Sequence, residues 1–324
     1  MASDMLELTT LEGRGMGLVA RQAIPRGTLL VSETPRLVYP KGADVTEQLE
    51  ALSPEDRSLF WSLSDCGCGD GPKTAEGIVG TNSFGRDIGG TFMTEVYLSM
   101  TSRFNHSCCP NVTQRHQENG DMTSRAVRDI SEGEELCISY LKDYTGPSAQ
   151  RQGWLKQGWK FDCGCETCSL EPEALAQSDA IRAEMQLCQA EFEPCICTGQ
   201  YQKCYEYGLR FLDIVEKEFR GNSNLLYGAY THLFQAAAAI HRPDLVIGYL
   251  QLCYQHSVYT NGPTHPITRD YASAARDPSS RGSLKEVASY AGPCPDLKGA
   301  EPSMDAVCVD MGVEAISSGG NSRE

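Results

Sequence analysis

Three cysteines packed into six residues, Cys163-Gly164-Cys165-Glu166-Thr167-Cys168, limit what this chain can fold into more than any other segment. A C-x-C-x2-C run presents three sulfur donors on one tight loop, which fits a single tetrahedral zinc, because Zn²⁺ prefers thiolates and a closed structural site takes four ligands. The fourth ligand has to come from elsewhere in the chain. Cys108, in Asn105-His106-Ser107-Cys108, leads the candidates, against the alternative of a cysteine-rich loop with free thiols. The chain holds 15 cysteines, an odd number. The opening residues, MASDMLELTT, lack the basic-then-apolar pattern of an export signal, so a disulfide framework is not expected. The pairs Cys66/Cys68 and Cys195/Cys197 leave a second zinc open, with no third feature to tie them together.

The net charge of −15 is spread over both halves of the 324 residues, which excludes nonspecific attraction to phosphate backbones and favours a basic partner. No apolar run is long enough to cross a bilayer. A monomeric protein of the cytoplasm or nucleus is expected, with no direct nucleic-acid binding and no membrane contact.

Periodicity divides the chain in two. Up to about residue 40, turn signals such as Gly13-Arg14-Gly15-Met16-Gly17 and Pro25-Arg26-Gly27 alternate with short apolar runs, the pattern of short strands joined by tight turns. Residues 45–64 predict a helix, with Ser53 as N-cap and Pro54 in its first turn. The Gly- and Asp-rich stretch from Cys66 to Gly90 predicts a long loop, and residues 122–140 return to strand character. After Cys168, helical stripes span 174–192, 201–220, 223–241 and 243–258, broken at Pro194, Gly221-Asn222 and Arg242-Pro243. From about residue 276 a flexible tail is expected, with one short helix near 283–290.

Several ordered motifs carry chemistry together. They are Gly-Arg-Gly-Met-Gly-Leu at 13–18, Ile24-Pro25-Arg26-Gly27, Ser102-Arg103-Phe104-Asn105-His106-Ser107-Cys108-Cys109-Pro110-Asn111, Arg125-Ala126-Val127-Arg128-Asp129-Ile130, Gly133-Glu134-Glu135-Leu136 through Ser139-Tyr140, and Phe161-Asp162 before the cysteine cluster. In this order they resemble a SET-domain protein lysine methyltransferase. The helical remainder makes the SET and MYND domain proteins the nearest in kind. Residues 40–80 contain only Cys66 and Cys68 and no histidine, so the MYND zinc finger is missing.

The resemblance implies an α+β protein, a SET-domain β-fold with a pseudoknot and a zinc-bound post-SET segment, followed by a helical C-terminal domain. In residue terms it implies a SET domain over 1–145 with a helical and loop insertion at about 41–95, a post-SET segment over 146–170, a helical domain over 171–275 and the tail over 276–324. It implies S-adenosylmethionine as cofactor, held by Gly15, Met16, Gly17, Asn105, His106 and Phe161, with Asn82 and Ser102 as lesser contacts. Tyr140 would be the tyrosine at the methyl-transfer site and would also touch the cofactor. One structural zinc would be held by Cys108, Cys163, Cys165 and Cys168.

The residue types suit that chemistry. Methyl transfer from a sulfonium needs a neutral amine, although a free lysine has a pKa of about 10.4. An apolar channel beside a cation lowers that pKa by desolvation and like-charge repulsion. A basic protein or peptide, a histone tail among the candidates, is the expected substrate. Two other readings stay open: a SET fold turned to small-molecule chemistry, and a cofactor-binding scaffold without activity.

Overall fold

The computed structural model of the protein describes residues 2–276. They form two compact units, one of residues up to 183 together with 259–262, the other of 184–258 together with residues from 263 onward. The expected tail and the short helix near 283–290 lie outside the described residues.

The first unit is built on three small sheets. In the first, β1 (Leu6–Leu11) and β2 (Gly15–Ala20) form a hairpin in the register Leu6↔Ala20 to Leu11↔Gly15. β10 (Glu135–Ile138) lies antiparallel to β2, and β7 (Asn105–His106) lies parallel to β10 with Cys137↔Asn105 and Ile138↔His106. The second sheet orders β3 (Leu29–Glu33), β9 (Met122–Ala126) and β8 (Val112–His116), all antiparallel. Alternation along these strands turns Leu18, Ala20, Leu30, Val112, Ala126, Leu136 and Ile138 into one core with Ile24, Phe104 and Ile130.

The third sheet, β4 (Leu37–Pro40), β6 (Thr91–Val96) and β5 (Phe84–Ile88), has its own core with α1 (Thr46–Glu50), α2 (Pro54–Ser62) and α3 (Ala75–Asn82). The Ser53 hydroxyl accepts from the Asp56 amide at 3.0 Å and caps α2 as the sequence predicts. The predicted Cys66–Gly90 loop is largely structured. The Asp65 carboxylate accepts from the amides of Gly67 and Thr74, and Thr74 caps α3. Gly89 and Gly90, both at positive φ, are the two-residue turn of the β5–β6 hairpin. Among the glycines that read as loop, Gly77 is thus a cap partner and Gly89-Gly90 a turn.

α4 (Ser148–Trp159) precedes the cysteine cluster and ends at Lys160, whose left-handed backbone (φ 61°) stops the helix. α5 (Pro172–Cys197) spans the boundary between the units and continues through Pro194 instead of breaking there, ending in a turn at Gly199. In the second unit, α6 (Tyr201–Glu218), α7 (Ser223–Ala239) and α8 (Pro243–Asn261), apart from its last residues 259–261, follow the predicted stripes, and α9 (Pro266–Arg276) is added. Gly208 of α6 packs on Leu233 so closely that a Cβ would sit 2.8 Å from the leucine, so glycine permits that helix contact. Among the described residues no helix is long and apolar enough to cross a membrane.

Candidate active site

Four sulfurs converge in the first unit. Those of Cys108, Cys163, Cys165 and Cys168 all lie within 4.8 Å of one another. A tetrahedral zinc with bonds of about 2.3 Å has sulfur–sulfur edges of about 3.8 Å. The observed Cys108–Cys168 and Cys108–Cys163 separations, 3.6 and 4.0 Å, bracket that edge. The donor set and its spacing therefore fit one structural zinc with no open position. Gln152 of α4 pins the loop, its amide oxygen accepting from the Cys163 N–H at 2.7 Å and its Nε2 donating to the Cys163 carbonyl at 2.8 Å. Hydrogen bonds from Cys108, Cys163 and Cys168 lower the Cys165 thiol below its ordinary range. Cys66 and Cys68 lie in the first unit, Cys195 and Cys197 in the second.

The sulfur cluster joins the crossing of β7 and β10 through His106. The Tyr140 N–H donates to His106 Nδ1 at 3.0 Å. A main-chain amide can only donate, so the ring proton is on Nε2, which faces Cys108 Sγ at 3.3 Å. Burial lowers the His106 pKa to about 4 and keeps the ring neutral. Arg14, between the two glycines of the 13–15 turn, donates to the His106 carbonyl at 2.8 Å and pairs with Glu135 at 2.9 Å. The Asn105 amide donates to Glu135 Oε1 at 2.9 Å and to the Met16 carbonyl at 3.3 Å. Residues from the start, middle and end of the sheet are thereby locked together.

A cavity of about 460 Å³ opens on this crossing, within the roughly 300–1,000 Å³ of small-molecule sites. Asn105, His106, Tyr140 and Phe161 line it, as do Glu12, Gly13, Arg14, Trp159 and Asp162. The rings of Tyr140 and Trp159 lie 5.3 Å apart, those of His106 and Tyr140 5.4 Å, and those of His106 and Phe161 6.2 Å. Aromatic faces of this kind attract a cationic group. The lining also carries both signs of charge, with carboxylates at Glu12 and Asp162, the latter paired with Lys156, and the Arg14 guanidinium, paired with Glu135. The lining fits S-adenosylmethionine, with its sulfonium, purine, ammonium and carboxylate.

The other expected cofactor residues sit elsewhere. Gly15, at φ 71°, begins β2, and Met16 is exposed. At Gly17 a Cβ would meet Leu11 at 2.6 Å and the Asn105 amide nitrogen at 2.7 Å, so glycine here makes room for Asn105. Asn82 donates to the carbonyls of Ser64 and Ile78, both at 2.7 Å, and it is its neighbour Thr81 that faces the cavity. Ser102 donates to the Tyr97 carbonyl at 2.7 Å. Both side chains bind nearby main chain and are not part of the lining. Sequence reading missed Trp159, whose indole N–H donates to the Thr81 carbonyl at 3.3 Å. Its place two residues before Phe161 is the one signal the sequence offers for it.

The Tyr140 hydroxyl donates to the Phe104 carbonyl at 3.0 Å. Burial, with Cys137 and Glu135 nearby, pushes its pKa well above the ordinary tyrosine range. It is a fixed, protonated group and no base.

Residues 15–141 match the SET domain model. This stretch is a SET domain. Histone-lysine N-methyltransferase set5 of Schizosaccharomyces pombe is 29% identical over 187 residues, covering 56% of this chain and 55% of that protein. Histone-lysine N-methyltransferase SMYD1 of Homo sapiens is 25% identical over 239 residues, 51% and 47% of the two chains. N-lysine methyltransferase SMYD2-B of Xenopus laevis is 38% identical over 82 residues, 25% and 17%. The chain thus spans about half, or less, of the length of these relatives. The SET match covers β2 to β10, and with them Asn105, His106 and Tyr140; the cysteine run at 163–168 and the helices after it lie beyond it.

Proposed function

We propose that this SET domain transfers a methyl group from S-adenosylmethionine to a lysine side chain of a basic protein. The observation that carries the proposal is the gathering of His106, Tyr140, Trp159 and Phe161 on one cavity beside the 12–14 turn. Lysine methyltransferase names among the SET-domain relatives support it. When bound, the cofactor supplies a methyl on a cationic sulfur. The main chain and charges at 12–14, with Asn105, would hold its amino-acid end, and Trp159 and Phe161 would hold its apolar and cationic parts. The Tyr140 hydroxyl spends its proton on Phe104, so its oxygen lone pairs remain to accept from an incoming amine and orient it. Orientation of this kind supplies rate without proton abstraction. The amine gives its proton to water as it enters, because desolvation and the positive charge of the bound cofactor disfavour a second cation there. The net charge of −15 would draw a basic peptide, histone tails included. A structural zinc on the four cysteines would hold Phe161 in place.

Calorimetric titration with S-adenosylmethionine, followed by intact-mass analysis of a panel of basic peptides, tests this. A 14 Da increment on a lysine is expected. Tight cofactor binding with no methylated peptide would shift the reading to a scaffold or a small-molecule enzyme.

A further inference from the structure

Arg151 of α4 is completely buried. One end of its guanidinium donates to the Gly146 carbonyl and the other to Cys168 Sγ at 3.5 Å. Its Nε has no hydrogen-bond partner, and among the described residues no carboxylate forms an ion pair with it. Arginine stays charged in proteins, and an uncompensated buried cation costs several kcal/mol. The fold must therefore hold an anion against it, and the sulfur cluster is what lies there.

The charges are complementary. Four thiolates around one Zn²⁺ carry a net charge of −2 in a site where three of the four cysteines are buried. The Cys108 sulfur also receives the Nε2–H of neutral His106, which adds a hydrogen bond and no charge.

We propose that Arg151 is the counter-ion of a tetrathiolate zinc centre, so that zinc retention depends on a guanidinium outside the ligand set. This rests on the zinc reading of the four cysteines. The arrangement is reciprocal: the loaded cluster keeps a cation inside the fold, and the cation keeps the dianion there. Partners outside the ligand set commonly change metal affinity by about 10–100-fold.

The test uses the full chain. Metal content is measured first, and zinc transfer to a chromogenic chelator is then followed for the wild type, Arg151→Met and Arg151→Lys. Arg151→Met keeps the bulk without the charge and is expected to lose zinc at least tenfold more readily. Arg151→Lys, which keeps a charge but not the fork, is expected to fall between. If Arg151→Met does not fold, Arg151→Gln, which also removes the charge, is loaded with Co²⁺ and decides, through a shift of the thiolate-to-cobalt absorption and faster chelation. Wild-type protein without zinc would overturn the metal reading itself. Zinc-loaded wild type with Arg151→Met, or with Arg151→Gln in its place, unchanged in chelation and cobalt spectrum would overturn the counter-ion role while leaving the metal reading intact.

Discussion

Replacing Tyr140 by Phe removes one oxygen and leaves both ring contacts, to His106 and to Trp159, in place. Two losses follow. The Phe104 carbonyl, in a residue 1% exposed, loses its 3.0 Å donor. A buried acceptor left without its partner costs about 1–3 kcal/mol. At about 2–4 °C per kcal/mol for a unit of 150–250 residues, the melting temperature should fall by roughly 2–12 °C. The second loss falls on chemistry. A positioned hydroxyl acting in the transition state is worth about 10²–10³ in turnover, by analogy with removal of one oxyanion-hole donor. Cofactor affinity should change little, because the hydroxyl bonds to main chain and the aromatic wall stays. Single-turnover intact-mass assays at saturating S-adenosylmethionine, with calorimetry for affinity, separate the two effects. Near-normal turnover in a destabilised Tyr140→Phe would reduce the hydroxyl to a structural donor. A fall in affinity parallel to turnover would instead place Tyr140 in cofactor binding.

Freshly purified protein should carry one zinc per chain by elemental analysis, and Cys165→Ala should lose it; metal-free, stably folded wild type would contradict the site. Asn105→Ala should weaken cofactor binding by about 1–3 kcal/mol. Because the Asn105 amide holds the Met16 carbonyl, hydrogen exchange at 14–17 should accelerate as well, and unchanged exchange would exclude this route. Glu134 is an acid probe. Burial opposes its charge, but hydrogen bonds from Arg128, the Ser131 amide and Asn111 outweigh this and lower its pKa below the ordinary value near 4.5. The folded state then binds fewer protons than the unfolded one, so Glu134 stabilises above that value and its contribution fades as pH falls below it. Denaturation of Glu134→Gln should accordingly depend less steeply on pH below about 4.5 than that of wild type, and parallel curves would refute the linkage.

Much of this was legible in the sequence because it depends on local rules. Ser53-Pro54 marks a helix start wherever it occurs, and the helical stripes after Cys168 need only a period of 3.6. The C-x-C-x2-C run names its own chemistry, and the structure brings Cys108 to it. α4 was not foreseen, because Gly153 and Gly158 interrupt it and its apolar residues fall on no single face. Asn82 and Ser102 could not be separated from site residues by type, since an amide or hydroxyl serves a main-chain carbonyl as well as a ligand. Between Trp159 and Phe161, which share the cavity, Lys160 turns left-handed, and no composition announces that.

The cysteine cluster also sets a timetable for synthesis. Cys108 and Cys168 are 60 residues apart in the chain. At about 5–20 residues per second, a ribosome takes roughly 3–12 s between them. During that interval Cys108 emerges without its metal partners, and the His106 ring lacks the Tyr140 amide that fixes its tautomer for part of it. The site therefore closes late and all at once. A nascent chain stalled before residue 163 should expose a reactive Cys108 thiol that the finished protein conceals.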